Sequence, residues 1–347
     1  MAGEQCVYSP VSAIHENRRM NYRTFGKTGW EVSELGLGTW QVGGKWGQPF
    51  DAAKAGRILH SAMDAGVNFI DTADVYSDGL SEEAVGKAVR ERSEWIYVAT
   101  KCGRRLDPHT ADAYTPEALR RFVEGSLQRL GLEVIDLIQL HCPPTAVYYR
   151  PEIFEAFDRM REAGLIRHLG VSVEKVEEGL KALEYPNVQS VQIIFNAFRQ
   201  RPAELFFEQA KTKQVGVIAR VPLASGLLTG KFNKTTTFGP DDHRHFNREG
   251  AAFDKGETFS GIPYEQGLQA VDAFREVFDE GDNLAARALE WILSHDAVST
   301  VIPGASSPEQ VANNLEIYEG KRITYSQVEQ VHRIYNERIK GLVHQRW

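Results

Sequence analysis

The chain has 347 residues, of which 42% are hydrophobic, 10% aromatic and 25% charged, and its formal net charge is -7. This composition is that of an ordinary globular protein with a substantial core, so intrinsic disorder is not expected. The negative net charge argues against nucleic acid or an anionic membrane as the main partner, because both favour a concentrated positive surface.

The cysteine pattern and the absence of long apolar runs indicate a cytoplasmic protein. Cys6, Cys102 and Cys142 share no CxxC spacing, which argues against a disulfide framework or a structural zinc site. We interpret the last two as buried small residues and not as reactive thiols. No apolar stretch reaches the length of a membrane span, and the N-terminal MAGEQCVYSP lacks the apolar core of a signal peptide.

The chain divides into a short extension and one domain. Residues 1–19 show no periodicity and end in a charged run, so we expect them to lie outside the fold. Residues 20–347 are expected to form a single domain, since an α/β barrel with insertions reaches this length. At its start, YRTFG and WEVSEL flank Lys27-Thr28-Gly29, which predicts a β-hairpin that plugs the bottom of a barrel.

From Leu35 onward, short apolar runs alternate with helical patterns. Eight runs are typical of buried strands: LGLGTW, VNFID, WIYVATK, VIDLIQLH, HLGVS, SVQII, VGVIAR and TVIP. Helices are predicted from Ser81, which we expect to act as a cap, from Thr115, and over 51–65, 151–163, 176–183, 203–213 and 283–294. This alternation predicts a (β/α)8 TIM barrel, an α/β fold, with an open doubly wound sheet as the rival.

Two stretches fall outside the repeat. Residues 232–262 are polar and have no clear period, which makes them a candidate lid. They carry His243 and His245 beside Asp241 and Asp242, and we favour a mobile polar loop over a metal site because nothing pre-organises the ligands. An extra C-terminal helix is predicted over 325–339, packing across the barrel wall or reaching its mouth.

Four reactive side chains lie at or just past the ends of predicted strands: Asp71, Tyr76, Lys101 and His141. The carboxyl ends of parallel strands meet on one face, so we expect the four to converge there. A lysine cation lowers the pKa of a nearby tyrosine from about 10, and an aspartate keeps the lysine charged. A neutral histidine donates a hydrogen bond to a substrate oxygen. The set predicts proton delivery to an oxygen that gains negative charge, as in carbonyl reduction by a hydride cofactor.

The ordered motifs resemble those of the aldo-keto reductases. The resemblance rests on GLGTW, FIDTADVY with SEEAVGKAV, VATK, IDLIQLH, HLGVS, VPLASGLLTGK and VIPGASSPEQVANNL. It implies a bacterial NAD(P)H-dependent oxidoreductase with a barrel that binds its nicotinamide cofactor without a Rossmann domain. The chain indeed has no strand-linked GxGxxG.

The resemblance also assigns residues. Tyr76 becomes the general acid, Lys101 and Asp71 tune its pKa, and His141 orients the carbonyl. The implied cofactor-binding set is Gly38, Thr39, Trp40, Asp71, Ser172, Gln192, Arg220, Pro222, Leu223, Ser225, Gly226, Leu228, Lys231, Ile302, Gly304, Ser306, Gln310, Asn313 and Asn314. The implied substrate-binding set is Trp40, Trp46, Tyr76 and His141.

Departures from the family pattern bear on cofactor choice. Arg220 stands where an aromatic residue often stacks on the nicotinamide, although a guanidinium plane can also lie flat on a ring. Gly304, Ser306 and Gln310 stand where Lys or Arg often binds a 2'-phosphate. The family favours NADPH, and the missing cations leave NADH open as well.

We expect reversible reduction of an aldehyde or ketone, with a polar or sugar-derived carbonyl as one option. Arg104 and Arg105 follow the catalytic lysine and are either a solvated basic loop or a site for a polar or anionic aldehyde. The alternative function is a nicotinamide-binding regulatory or interaction subunit, because the family includes barrel subunits attached to ion channels. A cofactor-free lyase or isomerase is a third option, and a homo-oligomer is left open.

Overall fold

A computed structural model of the chain describes residues 20–44, 48–319 and 321–347. The predicted extension 1–19 and the predicted substrate residue Trp46 lie outside the described residues.

The N-terminal hairpin is present and closes the bottom of the barrel. Strand β1 (Tyr22–Thr24) pairs antiparallel with β2 (Glu31–Ser33). Phe25 and Val32 are fully buried in a small cluster whose other members, Phe69, Ala99, Leu137, Ile218 and Ile302, belong to or directly follow barrel strands. The Lys27 amide donates to the Gln214 carbonyl just before a strand begins. The hairpin therefore packs against the amino ends of the strands, as predicted.

Eight parallel strands form the barrel, which confirms the predicted (β/α)8 class. Neighbouring strands pair in sequence order, and the bridges Leu35–Val301 and Gly38–Gly304 join the first strand to the last. The strands are β3 (Leu37–Gly38), β4 (Phe69–Asp71), β5 (Tyr97–Cys102), β6 (Ile135–His141), β7 (Ile166–Ser172), β8 (Val188–Ile194), β9 (Gly216–Arg220) and β10 (Val298–Val301).

Helices surround the sheet, and local sequence sets their ends. Asp51 caps the first helix by accepting from the Lys54 amide, and Thr115 caps the third by accepting from the Ala118 amide. The α-helices are α1 (Ala52–Asp64), α2 (Leu80–Arg90), α3 (Pro116–Leu130), α4 (Pro151–Glu162), α5 (Val176–Ala182), α6 (Phe206–Thr212), α7 (His243–Phe246), α8 (Tyr264–Arg275), α9 (Leu284–Leu293), α10 (Pro308–Leu315), α11 (Tyr325–Ile334) and α12 (Lys340–Val343).

Two helix predictions need correction, and helix α8 was missed. Ser81 is not a cap, because α2 begins at Leu80 and the buried Ser81 hydroxyl instead bonds Thr39 and Thr72. The predicted helix 325–339 is α-helical only as far as Ile334, after which a π-helical turn continues it. Helix α8 was not predicted, although its buried residues Gly267, Leu268, Ala270, Val271 and Phe274 recur at helical spacing.

The candidate lid 232–262 contains α7 and two short 3-10 turns. The Ser225 hydroxyl donates to the Glu257 carbonyl and accepts from the Phe259 amide, so this segment is joined to the loop after β9. The Trp347 indole donates to Asp254. Opening of the segment as a lid stays a prediction. Within the described residues, every helix is too short or too polar to cross a membrane.

Candidate active site

The carboxyl ends of β4, β5 and β6 bring the four predicted catalytic residues together. Asp71 ends β4, Lys101 is in β5 and His141 ends β6, while Tyr76 starts the turn after β4. The Lys101 ammonium lies 2.5 Å from an Asp71 carboxylate oxygen and 3.3 Å from the Tyr76 hydroxyl. The Tyr76 and His141 rings meet edge to face with centroids 6.0 Å apart.

Amide side chains hold the Asp71 carboxylate from its other side. Gln139 and Gln192 donate to the second carboxylate oxygen of Asp71 at 3.0 Å and 2.8 Å. Each of these groups is buried, so the carboxylate has one orientation. Gln139 was not predicted, although a signal was available: it lies two residues before His141, and strand alternation puts both on one face.

Burial and charge set the protonation of the site. Burial raises the pKa of Tyr76 and outweighs the opposing effect of Lys101, so the net direction differs from the sequence-based expectation. Burial disfavours the Lys101 charge, but the Asp71 carboxylate and the hydrogen bonds from Lys101 to Asp71 and Tyr76 prevail and raise the pKa of Lys101. Burial, with the cations Arg104 and Lys101, lowers the pKa of His141 well below its ordinary value. Tyr76 is therefore a protonated acid and His141 a neutral imidazole at neutral pH.

A cavity of about 390 Å³ opens beside Tyr76 and extends to α10. Most of the predicted cofactor residues line it: Gly38, Thr39, Trp40, Asp71, Gln192, Arg220, Pro222, Leu223, Ser225, Gly226, Lys231, Ile302, Gly304, Gln310, Asn313 and Asn314. Ser172, Leu228 and Ser306 do not. Ser172 is buried and donates weakly to Gln192, and Leu228 belongs to the core.

Lys231 and Arg244 are among the cations that line the cavity, and Arg244 is paired with Asp242. The Lys231 ammonium has no ion pair among the described side chains. Gln310 is occupied by Ser306, whose amide and hydroxyl donate to its side-chain oxygen at 2.8 Å and 3.1 Å. A Cβ added at Gly304 would have 3.9 Å of clearance, so the backbone there is open to the cavity.

Arg220 is 8% exposed and is held in place on several sides. It donates to the Val173 carbonyl at 2.9 Å and lies 3.3 Å from the Glu257 carboxylate. Burial opposes its charge, but Glu257 and Cys142 raise its pKa, so it stays cationic. Glu257 was not predicted as a site residue, because it is distant in sequence and follows no strand.

An aromatic wall and a mixed polar cluster flank the cavity. The Trp40 ring lies 4.9 Å from that of His243 and 5.8 Å from that of Phe253. Burial lowers the pKa of His243 to about 4. Among the described residues, the three side chains grouped closely enough to be considered for a metal are Cys142, Glu174 and Glu257, and not the histidines of the candidate lid.

Comparison with known proteins gives the family of the chain. The model of the Aldo/keto reductase family matches residues 34–336, so the chain belongs to this family, as the motifs indicated. The uncharacterized oxidoreductase YqkF of Bacillus subtilis is 31% identical over 312 residues, which cover 89% of this chain and 94% of YqkF. The structure of the glycerol dehydrogenase AKR11B4 from Gluconobacter oxydans has 31% identity and a TM-score of 0.74, covering 92% of this chain and 96% of that one.

Two further relatives have names that bear on function. A probable voltage-gated potassium channel subunit beta of Arabidopsis thaliana is 29% identical over 86% of this chain and 90% of its own length. The NADH-specific methylglyoxal reductase of Escherichia coli is 27% identical over 84% of this chain and 91% of its own length.

Proposed function

We propose that the protein is an NAD(P)H-dependent reductase of aldehydes or ketones that also runs in reverse. The observation that carries the proposal is the Tyr76 hydroxyl, which lies 3.3 Å from the Lys101 ammonium and faces both His141 and a cavity. This arrangement suits proton delivery to a carbonyl oxygen. Membership of an oxidoreductase family supports it.

The chain's own groups divide the work of the reaction. A bound nicotinamide supplies the hydride for the carbonyl carbon. Tyr76 gives its proton to the carbonyl oxygen, and the tyrosinate that remains is stabilised by Lys101. Asp71 keeps Lys101 charged, and neutral His141 donates a hydrogen bond that orients the carbonyl. Alcohol oxidation uses the same groups in reverse, with Tyr76 taking the proton.

The cavity fits a nicotinamide dinucleotide. It begins beside Asp71 and Tyr76 and reaches Gln310 in the first turn of α10, and the amino end of a helix favours an anion. Lys231 offers an uncompensated cation to a pyrophosphate. NADPH is the cofactor that the family favours, but the missing cations at Gly304 and Gln310 make NADH competitive. The NADH-specific relative is consistent with this.

The remaining parts of the proposal concern partners and location. The partner is a small-molecule carbonyl compound, since the cavity beside Tyr76 is of small-molecule size. A reducing, cytoplasmic compartment is proposed because Cys102 and Cys142 are buried free thiols.

Replacement of Tyr76 tests the proposed reaction. We expect Tyr76→Phe to lower kcat/KM for aldehydes by at least about 100-fold, because the proton donor is lost. Binding of NADPH or NADH, measured by nicotinamide fluorescence, is expected to stay unchanged. The matched control is Tyr325→Phe, since Tyr325 is 80% exposed and is not among the residues that line the cavity. A fully active Tyr76→Phe enzyme would remove Tyr76 as the acid.

The second candidate function is a nicotinamide-binding subunit with little turnover, favoured by the likeness to a channel subunit. The two functions differ in one measurement. If the protein binds the cofactor but nicotinamide absorbance stays constant with every member of a broad aldehyde panel, the subunit is supported. Steady oxidation of the cofactor with an aldehyde supports the reductase.

A further inference from the structure

A cluster of charged side chains lies beside His141 and has no part in the proposed proton transfer. Arg104 follows β5, Glu174 follows β7, and Glu257 comes from the short turn Lys255–Glu257. Cys142, which directly follows His141, belongs to the same cluster. Ligand atoms of Cys142, Glu174 and Glu257 are all within 4.8 Å of one another.

The Arg104 side chain is held by few contacts for a largely buried cation. Its closest carboxylate is that of Glu257, at 3.9 Å, and none of the described residues forms a hydrogen bond with it. About a quarter of the side chain (23%) is exposed. Arg105, in contrast, donates to the Asp74 carbonyl and to the Asp78 carboxylate. Arg104 is therefore less exposed than Arg105 and has fewer partners, and its part in substrate binding stays a prediction.

The Glu174 carboxylate is also without a hydrogen-bond partner among the described residues. Its backbone is used, since its amide donates to Glu178 and its carbonyl accepts from Arg199. Burial and the carboxylates Asp254 and Glu257 raise the pKa of Glu174 to about 7. The cluster thus contains a hydrogen-bond donor, the Arg104 guanidinium, and an acceptor, the Glu174 carboxylate, that have no hydrogen-bond partner among the described residues.

The cluster adjoins the reacting centre. Of the cations near His141, Arg104 lowers the pKa of the imidazole most, and Glu257, 3.9 Å from Arg104, lines the same cavity as Tyr76. Arg220 is the second cation of the cluster and lies 3.3 Å from the Glu257 carboxylate. It is nine-tenths buried, lines the cavity and has a buried Nε without a hydrogen-bond partner among the described residues.

The charges of the cluster select among ligands. Glu257 pairs with Arg220 at 3.3 Å and lies 3.9 Å from Arg104, so Glu174 is the carboxylate of the cluster without an ion pair among the described residues. A bound metal ion would be repelled by the guanidinium groups of Arg104 and Arg220. A bound carboxylate would be repelled by the carboxylates of Glu174 and Glu257. A neutral hydroxyl suits both unused groups, since it donates to a carboxylate and accepts from a guanidinium.

We propose that Arg104 and Glu174 bind a hydroxyl group on a carbon next to the carbonyl, so that the preferred substrates are hydroxylated aldehydes or ketones. The inference rests on the proposed carbonyl reduction and names the substrate class of the same site. It separates Arg104 from Arg105, which the sequence does not distinguish.

The experiment compares glyceraldehyde with propanal, which has the same carbon chain without hydroxyls, and with succinic semialdehyde as the anionic probe. We expect wild-type kcat/KM to favour glyceraldehyde over propanal by at least about 30-fold. Arg104→Met and Glu174→Gln should each lower kcat/KM for glyceraldehyde by at least about tenfold and change that for propanal by less than about threefold. The exposed control variants are Arg121→Met and Glu208→Gln, for which both values should stay unchanged.

The outcomes separate this inference from the reaction itself. Turnover of propanal tests the reductase, and it also shows that each variant is folded. Equal wild-type values for glyceraldehyde and propanal, or equal losses on both in the variants, would overturn the hydroxyl subsite while leaving the reductase intact. A preference for succinic semialdehyde that Arg104→Met abolishes would replace the hydroxyl with an anion and overturn it as well. Failure to reduce any aldehyde with either cofactor would overturn both proposals.

Discussion

The buried ion pair between Asp71 and Lys101 gives the sharpest test of how the site is built. We consider Lys101→Met, Asp71→Asn and the double variant. In the wild type, the Lys101 ammonium is 2.5 Å from Asp71 and also donates to the Thr72 carbonyl at 2.8 Å. The two side chains are 1% and 3% exposed, so water cannot replace either partner.

The expected magnitudes follow from this environment. Removing one partner of a buried pair costs about 3–5 kcal/mol, because an uncompensated charge is left behind. Each single variant should lie near the lower limit, about 3 kcal/mol, since Asp71 keeps two amide donors and Lys101 keeps a carbonyl. The double variant leaves no unpaired charge and should cost no more than either single variant, at most about 3 kcal/mol. The coupling free energy is therefore at least about 3 kcal/mol.

Urea unfolding at pH 7 measures the free energy of unfolding of the four proteins. The exposed pair Lys211–Asp296, with nitrogen and oxygen 2.6 Å apart, is the matched control. The double-mutant cycle of Lys211→Met and Asp296→Asn should give a coupling free energy below about 1 kcal/mol, because solvent screens exposed pairs. A coupling free energy below about 1 kcal/mol for Asp71 and Lys101 would refute the idea that each charge is stabilised by the other in the folded protein.

Two further predictions concern pH and cofactor. Burial and Glu82 raise the pKa of Asp74 from 3.8 to about 7, so the folded protein binds this proton more tightly and stability falls by at most about 4 kcal/mol as pH rises from about 4 to 7. Asp74→Asn should therefore be more stable than wild type by about 2 kcal/mol at pH 8 and by much less at pH 4.5; parallel pH dependences in urea unfolding would contradict this. For the cofactor, kcat/KM with NADH should lie within about tenfold of that with NADPH, and Gln310→Arg should shift the ratio toward NADPH by at least about tenfold. A wild-type preference for NADPH above about 100-fold would show that another cation binds the 2'-phosphate.

The barrel and the convergence of the proposed catalytic residues on its strands were predictable because both follow local rules. Alternating short apolar runs and helical patterns specify the (β/α)8 repeat, and the carboxyl ends of parallel strands share one face. Asp71 and His141 end their strands and Lys101 lies one residue before the end of its own, so their convergence follows from topology alone.

The parts that could not be predicted depend on burial or on contacts between distant segments. The direction of the Tyr76 pKa shift is an example, since the sequence shows the lysine beside it but not the extent of burial. The ion pair of Arg220 with Glu257 joins the end of β9 to a turn in the candidate lid, and no periodicity reports such a contact. The role of Ser81 was missed for the same reason: its partner Thr39 belongs to another βα loop.

The hydrogen bonds of Asp71 show why stability and chemistry separate at this site. Asp71 joins β4 to β5 through Lys101, to β6 through Gln139 and to β8 through Gln192, so the group proposed to tune the acid also connects four strands of the barrel. Tyr76 lies outside this network, because its hydroxyl is connected to it only through Lys101 at 3.3 Å within the described structure. Tyr76→Phe should therefore remove activity at a small cost in stability, whereas changes at Asp71 or Lys101 reduce both.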